Sequence, residues 1–133
     1  MNSWPIHKEL NMAALAVWMD RHEAKIFLFR ADGVETRHLK AHGGVHPSGH
    51  GKEHDLHKFF HDLTAELTRS TMQACLLMGP GVAKEQFKHE LEAKHPQLAK
   101  CIVGMESTDH LSDAQLQDHA RRFFKHRGVF EGL

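Results

Sequence analysis

Gln73-Ala74-Cys75-Leu76-Leu77-Met78-Gly79-Pro80-Gly81-Val82 is the stretch on which the fold turns. Its run through Met78 suits a strand, Gly79-Pro80-Gly81 ends that strand sharply, and a helix begins near Val82 with Phe87 and Leu91 turned inward. His95-Pro96 stops the helix, because the residue before proline is pushed out of the helical region. Lys100 to Met105 forms a further strand. Ser112, with Gln115 three residues later, reads as a capping box that opens a last helix carrying Leu116, Ala120, Phe123 and Phe124. Strand–helix–strand–helix alternation implies parallel strands joined by right-handed crossovers.

Upstream, Ala13 to Met19 is continuously apolar, which suits a strand covered on both faces. Asp20-Arg21-His22-Glu23 reads as a turn, Ala24 to Arg30 as a second strand, and Asp32-Gly33 as a hairpin leading into a third strand from Val34 to Leu39. A helix follows from about Lys52 to Thr68, its buried stripe made of Leu56, Phe59, Phe60, Leu63 and Leu67. The order β-β-β-α-β-α-β-α specifies a single α/β domain: a five-stranded mixed sheet with helices on both faces. The domain spans 13–127, preceded by an arm at 1–12 and followed by a tail at 128–133.

Between the third strand and the first helix lies a histidine run. His38, His42, His46, His50, His54, His57 and His61 are half of the chain's 14 histidines. Gly43, Gly44, Pro47, Gly49 and Gly51 exclude one continuous helix, since glycine is entropically costly there and proline lacks a donor. His42, His46 and His50 therefore belong to a loop, and His54, His57 and His61 to the solvent side of the helix. Neutral imidazole is a common metal ligand, and its protonated form attracts polyanions.

Seventeen basic and 17 acidic side chains cancel, so bulk charge indicates neither nucleic acid nor membrane. Below pH ~6.5 the histidines would make the chain strongly cationic. Cys75 and Cys101 lie in apolar runs and read as buried reduced thiols. No apolar stretch approaches ~20 residues and no signal pattern opens the chain, so a soluble, cytoplasmic protein is expected.

Two segments carry a resemblance. Leu39-Lys40-Ala41-His42-Gly43-Gly44, followed by a polar loop and a long helix, looks like the Lys-His…Gly-Gly-Gln segment in the middle domain of archaeal and eukaryotic class I release factors and Pelota. Ala74 to Gly81, running into Lys84-Glu85-Gln86-Phe87, looks like that family's strand, glycine turn and lysine-containing helix. Val17-Trp18-Met19-Asp20…Ala24-Lys25-Ile26-Phe27 is similar to its first hairpin. Small stand-alone bacterial proteins described as translational machinery proteins share this layout, and the fold resembles the ribonuclease H-like group. The resemblance covers roughly residues 13–126 and implies a translation-related fold with a ribosomal surface. In release factors the glutamine after the two glycines helps place water at the peptidyl-tRNA ester; here Val45, with neither donor nor acceptor, stands there.

The expected function is that of a non-catalytic, translation-associated binding protein docking on ribosome or structured RNA. His42, Gly43, Gly44, His46 and His50 form its contact tip, and Arg121, Arg122, Lys125 and Arg127 a basic patch late in the last helix. A charged helix C-terminus suited to the macrodipole explains the patch equally well. The alternative function is metal binding, with His50, His54, His57 and His61 taking zinc, nickel or copper; zinc or nickel is then the cofactor. Gly79-Pro80-Gly81 could present backbone N–H groups to a phosphate, but no Walker-type lysine pattern follows, which favours a tight turn. Nuclease chemistry needs converging carboxylates. Asp20 and Glu106 end strands, yet the strand between them ends in Gly79.

Overall fold

The computed structural model describes residues 13–41 and 51–129, and side chains from Ala14 and, after the loop, from Asp55. The expected arm (1–12), the tip of the histidine loop (42–50) and most of the tail (130–133) lie outside the described residues. The elements are β1 (Ala13–Met19), β2 (Glu23–Arg30), β3 (Gly33–Lys40), α1 (Gly51–Arg69), β4 (Met72–Gly79), α2 (Ala83–Lys94), α3 (Pro96–Ala99), β5 (Ile102–Ser107) and α4 (Asp113–His126). The sheet order is β3-β2-β1-β4-β5. β1 pairs antiparallel with β2, and β2 with β3, whereas β1–β4 and β4–β5 are parallel. This is the mixed five-stranded sheet the alternation implies, compatible with a ribonuclease H-like layout.

Period-2 alternation divides the central strands between two cores. Leu15, Val17, Met19, Ile26, Leu28, Cys75 and Leu77 face α1 and α2, meeting Phe59, Phe60, Leu63, Leu67, Phe87 and Leu91. Ala16, Trp18, Phe27, Phe29, Leu76 and Met78 face the other way, onto Leu116, Ala120 and Phe124 of α4. Helices thus cover both faces. That arrangement is why Ala14 to Met19 reads as unbroken apolar sequence: every residue is buried. Ser112 caps α4 as read, its side-chain oxygen accepting from the Gln115 backbone while Gln115 Oε1 accepts from the Ser112 N–H at 3.0 Å.

The last strand differs from expectation. It runs from Ile102 to Ser107, not from Lys100 to Met105, because Pro96 starts a further helical turn, α3. Proline is pre-organised for the first helical position. The turn buries Ala99 and consumes the next residues, with Lys100 N–H donating to Pro96 O and Cys101 N–H to Leu98 O. Cys101 consequently lies in a turn, half-buried, while Cys75 is fully buried on β4.

Burial pushes the Cys75 thiol up to about 12, with a smaller push from Cys101. A raised acid favours the protonated thiol in the fold. Its contribution is therefore complete below the ordinary value of 9.0 and lost as pH climbs from there towards about 12. One measurement checks the asymmetry: limited alkylation of the native protein should label Cys101, with Cys75 reacting only on unfolding. Equal labelling in the native state would contradict the burial.

Candidate nucleic-acid interface

The base of the histidine loop and the basic residues of the last helix lie at two separate ends of the sheet. At one end, β1 ends at Met19 and β3 ends at Lys40, where the chain runs towards the histidine loop. Ala41 N–H donates to His22 O at 2.8 Å and ties the base of that loop to the β1–β2 turn. The turn itself is held by Asp20, whose Oδ1 accepts from the His22 and Glu23 N–H groups at 2.8 and 2.9 Å. His42, Gly43, Gly44, His46 and His50 lie outside the described residues.

The same end carries a groove of about 770 Å³ between α1 and α2, with Leu56 and Phe60 in its floor and Arg21, His57, His89 and Lys94 on its rim. His57 Nδ1 sits 3.1 Å from Glu90 Oε1, so one histidine of the run is bound to α2. His57 and His61 are both exposed on α1, as the stripe requires. The side chain of His54 lies outside the described set, as does His50. Among the described residues no three His, Cys, Asp or Glu side chains come together around a metal position.

The Gly79-Pro80-Gly81 turn is a packing device. Gly79 has φ +145°, and a β-carbon there would stand 2.0 Å from the Met19 carbonyl oxygen. Lys84 follows in the first turn of α2, buried, its Nζ donating to Gly81 O at 2.8 Å. That buried lysine had no signal in the periodicity. The carboxylates weighed for nuclease chemistry are engaged elsewhere: Asp20 Oδ2 lies 3.4 Å from His110 Nε2, and Glu106 is bonded to His119. Trp18 closes this corner, its ring edge against His110 and its Nε1–H donating to Asp109 O at 3.0 Å.

The basic patch lies at the opposite end. α4 begins beside the start of β2, where Lys25 Nζ meets Asp113 Oδ1 at 2.9 Å, and runs the length of that strand. Near the strand's far end Arg121 lies over the Phe29 ring, 5.5 Å from its centre. Arg127 lies over Phe123 at 4.6 Å, and Phe123 packs onto Gly104 of β5. Of the two phenylalanines, Phe124 is buried and Phe123 half-buried. Arg122 is paired with Asp118 at 2.6 Å, and Lys125 is exposed. On the opposite, α1-covered face of the sheet, the Arg37 guanidinium holds the Glu35 carboxyl below the usual carboxylate range and also reaches Glu66 of α1 at 3.0 Å.

No protein-family model matches the chain. The Pelota homologue of Thermococcus gammatolerans is 35% identical over 94 residues, which cover 67% of this chain and 26% of that protein. The chain thus spans about a quarter of the length of the curated relatives it matches. The crystal structure of Archaeoglobus fulgidus Pelota superposes with a TM-score of 0.62 at 17% identity, over 88% of this chain and 33% of that one. The archaeal Pelota of a model of ribosome-bound Pelota and ABCE1 superposes with a TM-score of 0.59 at 24% identity, over 86% of this chain and 33% of that one.

Proposed function

We propose, on the premise that this chain is a homologue of archaeal Pelota, that it is a translation-associated protein that docks on the ribosome and performs no catalysis. The observation that carries the reading is the 35% identity to an archaeal Pelota over two thirds of the chain. The likeness in fold to an archaeal Pelota placed on the ribosome in a model with ABCE1 supports it. Val45 in the place of the release-factor glutamine speaks against peptidyl-tRNA hydrolysis, because a valine cannot position water. In this reading the glycine–histidine loop is one contact, anchored by Ala41 at the turn end of the sheet. Among the described residues no helix is long and apolar enough to cross a membrane.

Co-sedimentation with ribosomes over a salt and pH series tests it. Association should fall with salt, as contacts to phosphate do, and should strengthen as pH drops from ~7.5 to ~6 and loop imidazoles gain charge. Val45→Gln should create no release activity. A native protein that stays in the supernatant at low salt and pH ~6 ends the docking reading.

The competing proposal is a zinc or nickel site on the exposed α1 histidines, favoured by His57 and His61 sharing that face. Chelator separates the two within the same experiment. Ribosome association that survives chelator supports docking; metal-dependent stabilisation without association supports the metal scaffold.

A further inference from the structure

The end of the domain that carries the basic residues of α4 differs physically from an ordinary charged helix terminus. Two of its guanidinium groups, those of Arg121 and Arg127, lie over the rings of Phe29 and Phe123. A guanidinium held against a ring loses less side-chain freedom on binding, and its N–H edges stay available to a planar or tetrahedral anion. Lys125, one helical turn beyond Arg121, adds a third exposed cation. Asp118, the carboxylate one turn before the patch on α4, is engaged by Arg122.

Charge of this kind fits phosphate, and the surroundings select which phosphate polymer. Single-strand binders stack bases on exposed aromatic rings. Here Phe29 is buried, Phe123 is half-buried beneath Arg127, and no phenylalanine or tryptophan side chain among the described residues is exposed. Backbone contact without base stacking is how duplex RNA is held. The distance to the other expected contact matters equally. Ala41 marks the base of the histidine loop beside His22, before β2 begins, whereas Arg121 stands over Phe29 near the end of that strand. Eight residues of β2 at ~3.3 Å each separate the two ends by roughly 25 Å.

We propose that Arg121, Lys125 and Arg127 form a duplex-RNA backbone site that works independently of the histidine loop. The proposal deepens the docking reading and rests on it, but its test can fail separately. The probe is a fluorescent RNA duplex of about 16 base pairs, the span a compact duplex-binding module covers, titrated with the full chain between about 50 and 200 mM salt.

The triple variant Arg121→Gln, Lys125→Gln, Arg127→Gln should bind the duplex at least about tenfold more weakly. Its salt slope should flatten by about 0.9 per cation removed. Arg121→Lys with Arg127→Lys keeps the charge and loses the planar fork, so it should show an intermediate loss with nearly the native slope. Its circular dichroism and unfolding midpoint confirm that the fold persists. His42→Ala, His46→Ala, His50→Ala should leave duplex affinity within about twofold while weakening ribosome co-sedimentation.

Three results would overturn the proposal: a triple variant with native affinity and slope, a histidine variant that abolishes duplex binding, or polyglutamate competing as well as the RNA. Duplex binding as expected with no ribosome association would instead remove the docking reading and leave this site standing.

Discussion

Gly79→Ala should destabilise the protein by at least about 3 kcal/mol, a large part of the roughly 5–15 kcal/mol that holds a domain of this size together. Two costs combine. The residue has φ +145°, a conformation that side chains with a β-carbon rarely adopt, and the added carbon would stand 2.0 Å from the Met19 carbonyl oxygen. That carbonyl is backbone at the end of the central strand, where Met19 pairs with Ala24 of β2 and the preceding Trp18 with Met78 of β4, so it cannot yield without disturbing both neighbours. Gly81→Ala is the control. Its φ is +63° and nothing lies within 4 Å of the added carbon, so only the left-handed penalty of about 1–2 kcal/mol applies. Chemical denaturation of both variants decides the matter; equal losses would mean that the close approach to Met19 contributes nothing.

Phe60→Ala should cost about 3–5 kcal/mol. The side chain is 2% exposed and packs edge-on against Phe87, 5.4 Å between ring centres, with Phe59 beside it. It is the point at which α1 meets α2, and it also underlies the groove between them. Truncation leaves a cavity that two helices anchored to a rigid sheet cannot collapse around. The unfolding midpoint measures the loss. A near-neutral result would place the buried stripe of α1 on another face.

Much of the architecture was legible because one interaction dominated each segment. Continuous apolarity marked β1 and β4, Asp32-Gly33 marked a hairpin, helical spacing marked Phe59, Phe60 and Leu63, and Ser112 with Gln115 marked a cap. Each is a local signal with a local cause. The β5 boundary was misread for a local reason too: the proline that ends α2 can also open another turn, and periodicity over four residues cannot separate that turn from the strand behind it. The candidate site was less legible. Adjacent residues showed that the end of α4 is basic and that Phe123 is near Arg127, but they could not show Phe29, more than 90 positions upstream, beneath Arg121.

By itself, then, the sequence determined the five strands and three long helices, that both sheet faces are covered, and that His57 and His61 are exposed. These follow from periodicity, because burying one face of an element fixes its neighbours in the chain. Tertiary structure alone decided that Gly79 meets Met19, that Lys84 is buried against Gly81, and that the base of the histidine loop and the arginines of α4 stand at opposite ends of one sheet. Such relations depend on how strands from distant parts of the chain pair and on the direction in which α4 crosses them, and both are set by the packing of the whole core.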